Sequence, residues 1–160
     1  MEEIREETIF QAIEEIAGME PEQFDDLVKR VEEEQPDLMN YLKEIDGEIQ
    51  EEEWGFIFYN SILIWFSFTK GEGGIGLVTR QMIEEGVENN YQLLDKLWES
   101  EDLNTAITEM FQTYPQPSLL NYVANALVGD PLLREKNKVP IFVFLKTLID
   151  CFDQSGIVLP

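Results

Sequence analysis

A glycine-rich segment carries the spacing of a nucleotide-binding loop. Gly71-x-Gly73-x-x-Gly76 matches the dinucleotide fingerprint letter for letter. That chemistry requires a strand before the loop and a helix after it whose N-terminus faces the pyrophosphate. Here the preceding segment is typical of a helix, no βαβ pattern surrounds the motif, and the net charge of −22 repels phosphate. We therefore interpret residues 70–76 as a flexible linker.

An acidic run has the spacing of half a calcium-binding loop. Residues 46–53 match the second half of an EF-hand, with Glu53 in the place of the bidentate ligand. The first half fails because Leu42 occupies the first ligand position. Capping of a helix and compensation of its dipole account for the same acids. We expect no calcium site, no other metal and no cofactor.

Residues for nucleophilic catalysis are sparse. Ser67-x-x-Lys70 has the spacing used by serine acyl enzymes, but no partner motif accompanies it, and Lys70 also suits the C-terminal end of a helix. The chain has no histidine, which excludes histidine triads, imidazole proton shuttles and histidine metal sites. The single cysteine, Cys151, lies in an apolar segment and is predicted to be an inert buried thiol. We expect a protein without catalysis rather than an enzyme.

Apolar residues that recur at helical spacing dominate the chain, and no segment alternates convincingly with a period of two. Prolines and glycines bound the helical segments. A helix is predicted over residues 49–69, and its body, residues 54–68, is apolar on nearly every side, which places it at the centre of the fold. A buried strand is the alternative. We predict one all-α domain over residues 1–160, a bundle of about eight helices beginning near residues 3, 21, 36, 49, 77, 102, 117 and 140.

Two short segments resemble each other across the chain. Residues 35–42, QPDLMNYL, and residues 116–123, QPSLLNYV, are identical at five of eight positions and lie 81 residues apart. Each opens a short helix, preceded by an amphipathic helix and followed by a strongly apolar one. This pattern predicts two duplicated four-helix halves, 3–69 and 77–153, joined by the glycine-rich linker. The alternative is that Gln-Pro simply starts helices.

The charge of the chain narrows the choice of partner. There are 33 acidic and 11 basic residues, and residues 1–53 alone hold 20 acids against 4 bases. Such a negative charge disfavours binding to nucleic acid and to anionic membranes, and it attracts basic proteins. The alternative is that the acidic residues only form a solvated surface. We predict an interaction module of the adaptor, inhibitor or chaperone type. Association of the chain with itself into homo-oligomers is a further alternative. Six clustered acids are the predicted partner-binding residues: Glu32, Glu33, Glu34, Glu51, Glu52 and Glu53.

A ligand-binding bundle, or an enzyme that uses carboxylates alone, is the alternative function. Its pocket would lie between the two halves, lined by polar and aromatic residues: Trp54, Tyr59, Asn60, Trp65 and Trp98. The first residues are acidic rather than apolar, and the most apolar run is shorter than a membrane span. We therefore expect a cytoplasmic protein without a signal peptide.

Overall fold

The computed structural model describes residues 2–71 and 74–155, and within them the chain folds into eight α-helices with no β-strand. This confirms the all-α bundle. None of these helices is both long and apolar enough to cross a membrane. The helices are α1 (Glu6–Ala17), α2 (Pro21–Glu34), α3 (Pro36–Ile45), α4 (Glu51–Thr69), α5 (Arg80–Trp98), α6 (Leu103–Thr113), α7 (Pro117–Gly129) and α8 (Glu135–Gln154). The predicted linker lies partly outside the described residues.

Helix α8 begins five residues earlier than the sequence predicts. Pro140, expected near its start, lies inside the helix. A proline there removes one backbone hydrogen bond, the one that its N–H would have donated to Lys136. The helical turn that precedes Pro140 is polar, so the spacing of apolar residues does not indicate that the helix begins there. Arg134, at the N-cap, is held by Glu53 of α4, and this long-range contact anchors the early turn.

Helices α4 and α8 form the centre of the bundle. Eleven of the nineteen residues of α4 are buried, and ten of the twenty residues of α8, which confirms the prediction for residues 49–69. Helix α8 packs most extensively against α5, and then against α4 and α7. Phe68 of α4 meets Phe152 of α8 with ring centroids 5.7 Å apart, and both rings are fully buried. The two most apolar helices therefore cover each other, as burial of apolar surface requires.

Two buried glutamines hold distant backbone segments in the same way. Gln35 binds residues 76–78 and Gln116 binds residues 2–4. In each case the side-chain nitrogen donates to the carbonyl of the first residue, and the side-chain oxygen accepts from the N–H of the third, at 2.8 to 3.0 Å. Both glutamines also share an unusual backbone conformation at the N-caps of α3 and α7. Each half of the chain thus holds the segment that leads into the first helix of the other half.

Contacts between α4 and α8 repeat this reciprocity. Phe68 touches Phe152, and Glu53 accepts hydrogen bonds from Asn137 at 3.0 Å. Both pairs are 84 residues apart in the sequence, as are the first residues of α4 and α8. The first residues of α3 and α7 are 81 apart, because α7 is three residues longer than α3. In each pair, a residue of α4 contacts the equivalent residue of α8. A local two-fold axis between α4 and α8 would produce such contacts. These observations favour the duplication, which stays a prediction.

Replacing Gln116 with alanine is expected to lower the free energy of unfolding by about 2 kcal/mol, because it leaves the buried N–H of Ile4 without an acceptor. Gln35→Ala should cost a similar amount through Val78. Urea denaturation measures both, with exposed Gln112→Ala as the matched control, expected within about 0.5 kcal/mol of wild type. If both glutamine variants were as stable as the control, the hydrogen bonds from Gln35 and Gln116 would contribute nothing to the stability of the protein.

Candidate functional site

An apolar groove runs between the end of α5, α6, the end of α7 and the start of α8. Its cavity has a volume of about 290 Å³. Twelve of its thirteen lining residues are apolar, and the exception is Lys138. That ammonium pairs with Glu135 at 2.7 Å, which offsets its charge. The groove therefore offers almost no hydrogen-bonding group to an occupant.

Large apolar side chains are unusually exposed in this groove. Four of the eight large apolar side chains that are exposed among the described residues line it: Trp98, Ile107, Val128 and Val139. Trp98 is 67% exposed and Val128 is 80% exposed, values that an ordinary core side chain never shows. Exposed apolar side chains that line one concave surface make the groove a candidate binding site.

The groove exists because α6 is not covered on its apolar side. Its apolar residues follow the spacing i, i+4, i+7, i+8, which gives one continuous stripe: Leu103, Ile107, Met110 and Phe111. Yet no residue of α6 is fully buried, whereas the corresponding second helix of the first half, α2, buries Leu27 and Val31. Helix α5 has nineteen residues against twelve in α1, so its last turns reach past the core and form one wall of the groove.

One end of the groove is acidic. Glu99, Glu101 and Asp102 lie in the turn between Trp98 and Leu103, and all three are exposed. Asp102 also caps α6 by accepting from the hydroxyl of Thr105 at 2.7 Å and from its N–H at 3.2 Å. These bonds from Thr105 lower the pKa of Asp102, so its carboxylate stays charged.

Glu53, predicted to bind a partner, is fully buried and lies at the junction of α4 and α8. It accepts hydrogen bonds from the guanidinium of Arg134 at 2.8 and 3.2 Å, from the backbone N–H of Arg134 at 3.2 Å, from Asn137 at 3.0 Å and from the N–H of Gln50 at 3.3 Å. The bonds from Arg134 outweigh burial and, with those from Asn137 and Gln50, lower its pKa to about 2. Glu53 therefore joins two helix N-termini and is not available to a partner.

The other five predicted acids are exposed, but none of them lines the groove. Glu32 pairs with Lys43 at 3.3 Å and Glu34 pairs with Arg30 at 3.5 Å. The remaining three lie at the end of α2 and at the start of α4: Glu33, Glu51 and Glu52. These three add to the acidic surface, whereas Glu34 lies with Arg30 and Gln35 in the wall of a polar cavity of about 360 Å³.

A second, polar cavity of about 440 Å³ lies between α5, the turn before α7 and α8. The ammonium of Lys146 donates to Asn90 at 2.7 Å and to Asp150 at 3.1 Å, and it lies 4.8 Å from the centre of the Tyr114 ring. Asp150 also accepts from the hydroxyl of Tyr114 and from Asn90, which in turn donates to Thr147 at 2.9 Å. Burial, followed by the charge of Asp150, raises the pKa of Tyr114, which keeps its proton. These side chains thus satisfy one another.

A glycine permits the close packing of α5 on α8 that assembles this network. A Cβ atom at Gly86 would lie 2.7 Å from the Cγ2 of Thr147. Thr147 cannot turn away at no cost, because its hydroxyl donates to the carbonyl of Val143 at 2.7 Å and accepts from Asn90. The contact between Gly86 and Thr147 therefore sets the distance between the two helices.

Gly86→Ala is expected to lower the free energy of unfolding by about 1 to 3 kcal/mol through this clash. The change opposes alanine's advantage of about 1 kcal/mol in helix propensity, so the sign itself is informative. Thr147→Ser removes the methyl group and keeps the hydroxyl; added to Gly86→Ala, it should restore the loss. A double-mutant cycle in urea measures the coupling. A more stable Gly86→Ala protein would show that Thr147 moves freely.

The structure places the other candidate residues away from either cavity or gives them structural partners. Ser67 is fully buried and its hydroxyl donates to the carbonyl of Leu63 at 2.8 Å, while Lys70 pairs with Glu15 at 2.7 Å. Cys151 is a buried free thiol as predicted, and burial raises its pKa to about 12. Across residues 2–71 and 74–155, no three acidic or cysteine side chains converge as metal ligands.

Of the five residues proposed for a pocket between the halves, only Trp98 lines one of the cavities described here, and that cavity is the groove in the second half. The other four are in α4: Trp54, Tyr59, Asn60 and Trp65. Trp54 donates to the carbonyl of Leu42 at 2.8 Å, and Trp65 is fully buried. A cavity of about 290 Å³ does lie between the halves, with Tyr41 and Phe144 stacked in its wall.

Sequence reasoning missed the other residues of the groove because it assigned every amphipathic stripe to the core. The apolar stripe of α6 can be recognised from the sequence, but whether another helix covers it depends on the packing of α5 and α7. No protein-family model, curated protein or solved structure matches this chain.

Proposed function

We propose that the protein is a non-catalytic interaction module that binds a basic protein partner through the groove formed by α5, α6, α7 and α8. The observation that carries the proposal is the exposed, almost wholly apolar lining of that groove on a chain of net charge −22. Aromatic side chains such as Trp98 are enriched among the residues that dominate binding energy at interfaces. The lining has too few polar groups to orient a small polar substrate.

Charge and apolar burial have separate roles in this proposal. The acidic surface attracts a basic partner over a distance of roughly 10 Å and raises the association rate. Burial of Trp98, Ile107, Val128 and Val139 then supplies most of the affinity, at about 25 cal/mol for each Å² of apolar surface removed from water. A second copy of the chain is a poor occupant because its own −22 charge repels the first.

Site-specific photo-crosslinking in native lysate tests the proposal. A photoreactive phenylalanine replaces Trp98 in one sample and Phe10 in the control, because Phe10 is 52% exposed but lies on α1, outside the groove. We expect a discrete adduct at position 98, identified as a basic protein by mass spectrometry. Excess wild-type protein should compete for the adduct, and excess Trp98→Asp protein should not. An acidic partner, equal labelling at both positions, or no adduct would contradict the proposal.

A second candidate function, binding of a small polar ligand, is favoured by one observation. The polar cavity has a buried ammonium and a carboxylate, Lys146 and Asp150, at hydrogen-bond distance in its wall, and a few convergent polar groups in a cavity are typical of small-molecule sites. Native mass spectrometry of protein from its native source tests this. A bound small molecule that is lost in a folded Lys146→Met variant would support it, and an unliganded mass would contradict it.

A further inference from the structure

We propose that the occupant of the groove is an amphipathic α-helix of about three turns that presents an apolar stripe to α6 and carries Lys or Arg beside Glu99, Glu101 and Asp102. The inference rests on the proposed function, because it assumes that the groove is the docking site. It adds the conformation of the bound segment, its length and the end of the groove at which its charges lie.

The backbone of the occupant decides between a helix and an extended segment. Every backbone N–H and C=O that enters an apolar site must keep a hydrogen-bond partner or lose free energy. The lining offers one polar side chain, Lys138, and that side chain is paired with Glu135. The walls are helices, and they present no strand edge to which an extended peptide could add. A helix alone brings its own backbone hydrogen bonds into such a groove.

The shape of the groove matches a helix as well. The apolar stripe of α6 follows the i, i+4, i+7 spacing that lets the side chains of one helix pack between those of another. Ile107 in this stripe is exposed, and Leu103 and Met110 are half-buried. Helix α6 has eleven residues and is about 16 Å long. An occupant of three turns covers that length. The last turns of α5 and α7 flank it on either side, with Trp98 and Val128 exposed beside the occupant.

The charges give the docked helix a direction-dependent contact. The turn between α5 and α6 has three exposed acids and no base: Glu99, Glu101 and Asp102. The start of α8 lies at the same end of the bundle, because α5 and α8 run antiparallel, with Met82 near Cys151 and Gly86 against Thr147. Lys138 is paired there with Glu135, so it does not offset the three acids of the turn. The occupant is therefore a helix with Lys or Arg at the end that faces the acidic turn.

A designed peptide tests the inference without knowledge of the natural partner. The probe is a dye-labelled peptide of about fourteen residues, built from Leu and Lys, with Leu at helical i, i+3, i+4, i+7 positions and Lys on the other face. Fluorescence anisotropy measures its affinity for the full chain. We expect Trp98→Ala to weaken binding by about tenfold or more, as at interface hot spots, and Phe10→Ala to leave it within about twofold.

Three further peptides separate this inference from the proposed function. A shuffled Leu/Lys peptide without an apolar face and a version with a central proline should each bind about tenfold more weakly than the probe. If either of them binds as well as the probe, the helical occupant is wrong while the groove keeps its proposed role. If a Leu/Glu helix binds as tightly as the Leu/Lys helix, the proposal of a basic partner is wrong, and the proposal of a helical occupant stands. If Trp98→Ala binds the probe like wild type, both ideas fail.

Discussion

Glu53→Ala is expected to lower the free energy of unfolding by about 3 kcal/mol, one of the largest effects of any single substitution in this chain. The substitution removes the acceptor for six hydrogen bonds at once, three of them from Arg134. It also removes the capping carboxylate from α4, whose N-cap N–H it binds, and from the N-cap of α8. Because Arg134 is 36% exposed, its guanidinium turns toward water, which keeps the loss at the lower end of the range for buried ion pairs.

The same carboxylate gives the protein a specific dependence on pH. Hydrogen bonds from Arg134 hold the pKa of folded Glu53 at about 2, below its ordinary value of 4.5. Between these two values the unfolded chain binds the extra proton, so the stability from Glu53 is complete above pH 4.5 and is lost as pH falls toward 2. In Glu53→Gln this contribution is absent. The difference in free energy of unfolding between wild type and Glu53→Gln should shrink over that window.

The matched control for both experiments is Glu52→Ala. Glu52 is adjacent in the first turn of α4 but is exposed, so its replacement should change stability by less than about 0.5 kcal/mol. Denaturant unfolding at pH 7 and at several pH values down to 2.5 provides the data. A Glu53→Ala protein as stable as Glu52→Ala would mean that Glu53 contributes no net free energy. A difference between wild type and Glu53→Gln that does not vary with pH would mean that folding does not lower the pKa of Glu53.

Local sequence signals account for most of the fold. Pro21, Pro36 and Pro117 each stand in the first turn of a helix, where the missing N–H has no intrahelical partner to lose. The apolar run from Trp54 to Phe68 is long enough to be a helix and too apolar to lie at the surface. These features depend on neighbouring residues alone, and for this reason the sequence predicts the number, order and approximate bounds of the helices.

Long-range contacts account for what the sequence did not predict. From the sequence, Glu53 is indistinguishable from the exposed acids beside it. It is buried because it pairs with Arg134, which lies 81 residues away in the sequence. The early start of α8 depends on the same contact. Likewise, the stripe on α6 has the pattern of any core-facing helix. Its exposure follows from the extra length of α5, and a helix's effect on a distant neighbour has no local signature.

Added salt is expected to have opposite effects on the free protein and on its complex. Residues 1–53 carry 20 acids against 4 bases, and folding brings these like charges together. Salt screens charges that are farther apart than the Debye length, about 8 Å at physiological ionic strength. The thermal midpoint of the free chain should therefore rise by several degrees as NaCl is raised from low to moderate concentration, as followed by circular dichroism. A flat or falling midpoint would mean that the acids are already paired or well separated.

The complex should weaken over the same salt series, and the rate constants say why. If acidic residues steer a basic partner, the association rate falls by about 100-fold between low and high salt, as it does in other steered complexes. Once the partner helix is docked, the apolar lining around Trp98 holds it, and burial of apolar surface is not screened. The dissociation rate should therefore change little with NaCl and rise in Trp98→Ala, whereas replacing Glu99 and Glu101 with glutamine should slow association and spare dissociation. Stopped-flow anisotropy with the Leu/Lys peptide measures both rates. A salt effect confined to dissociation would place the charges in the docked contact, and the acidic surface would lose its role in steering.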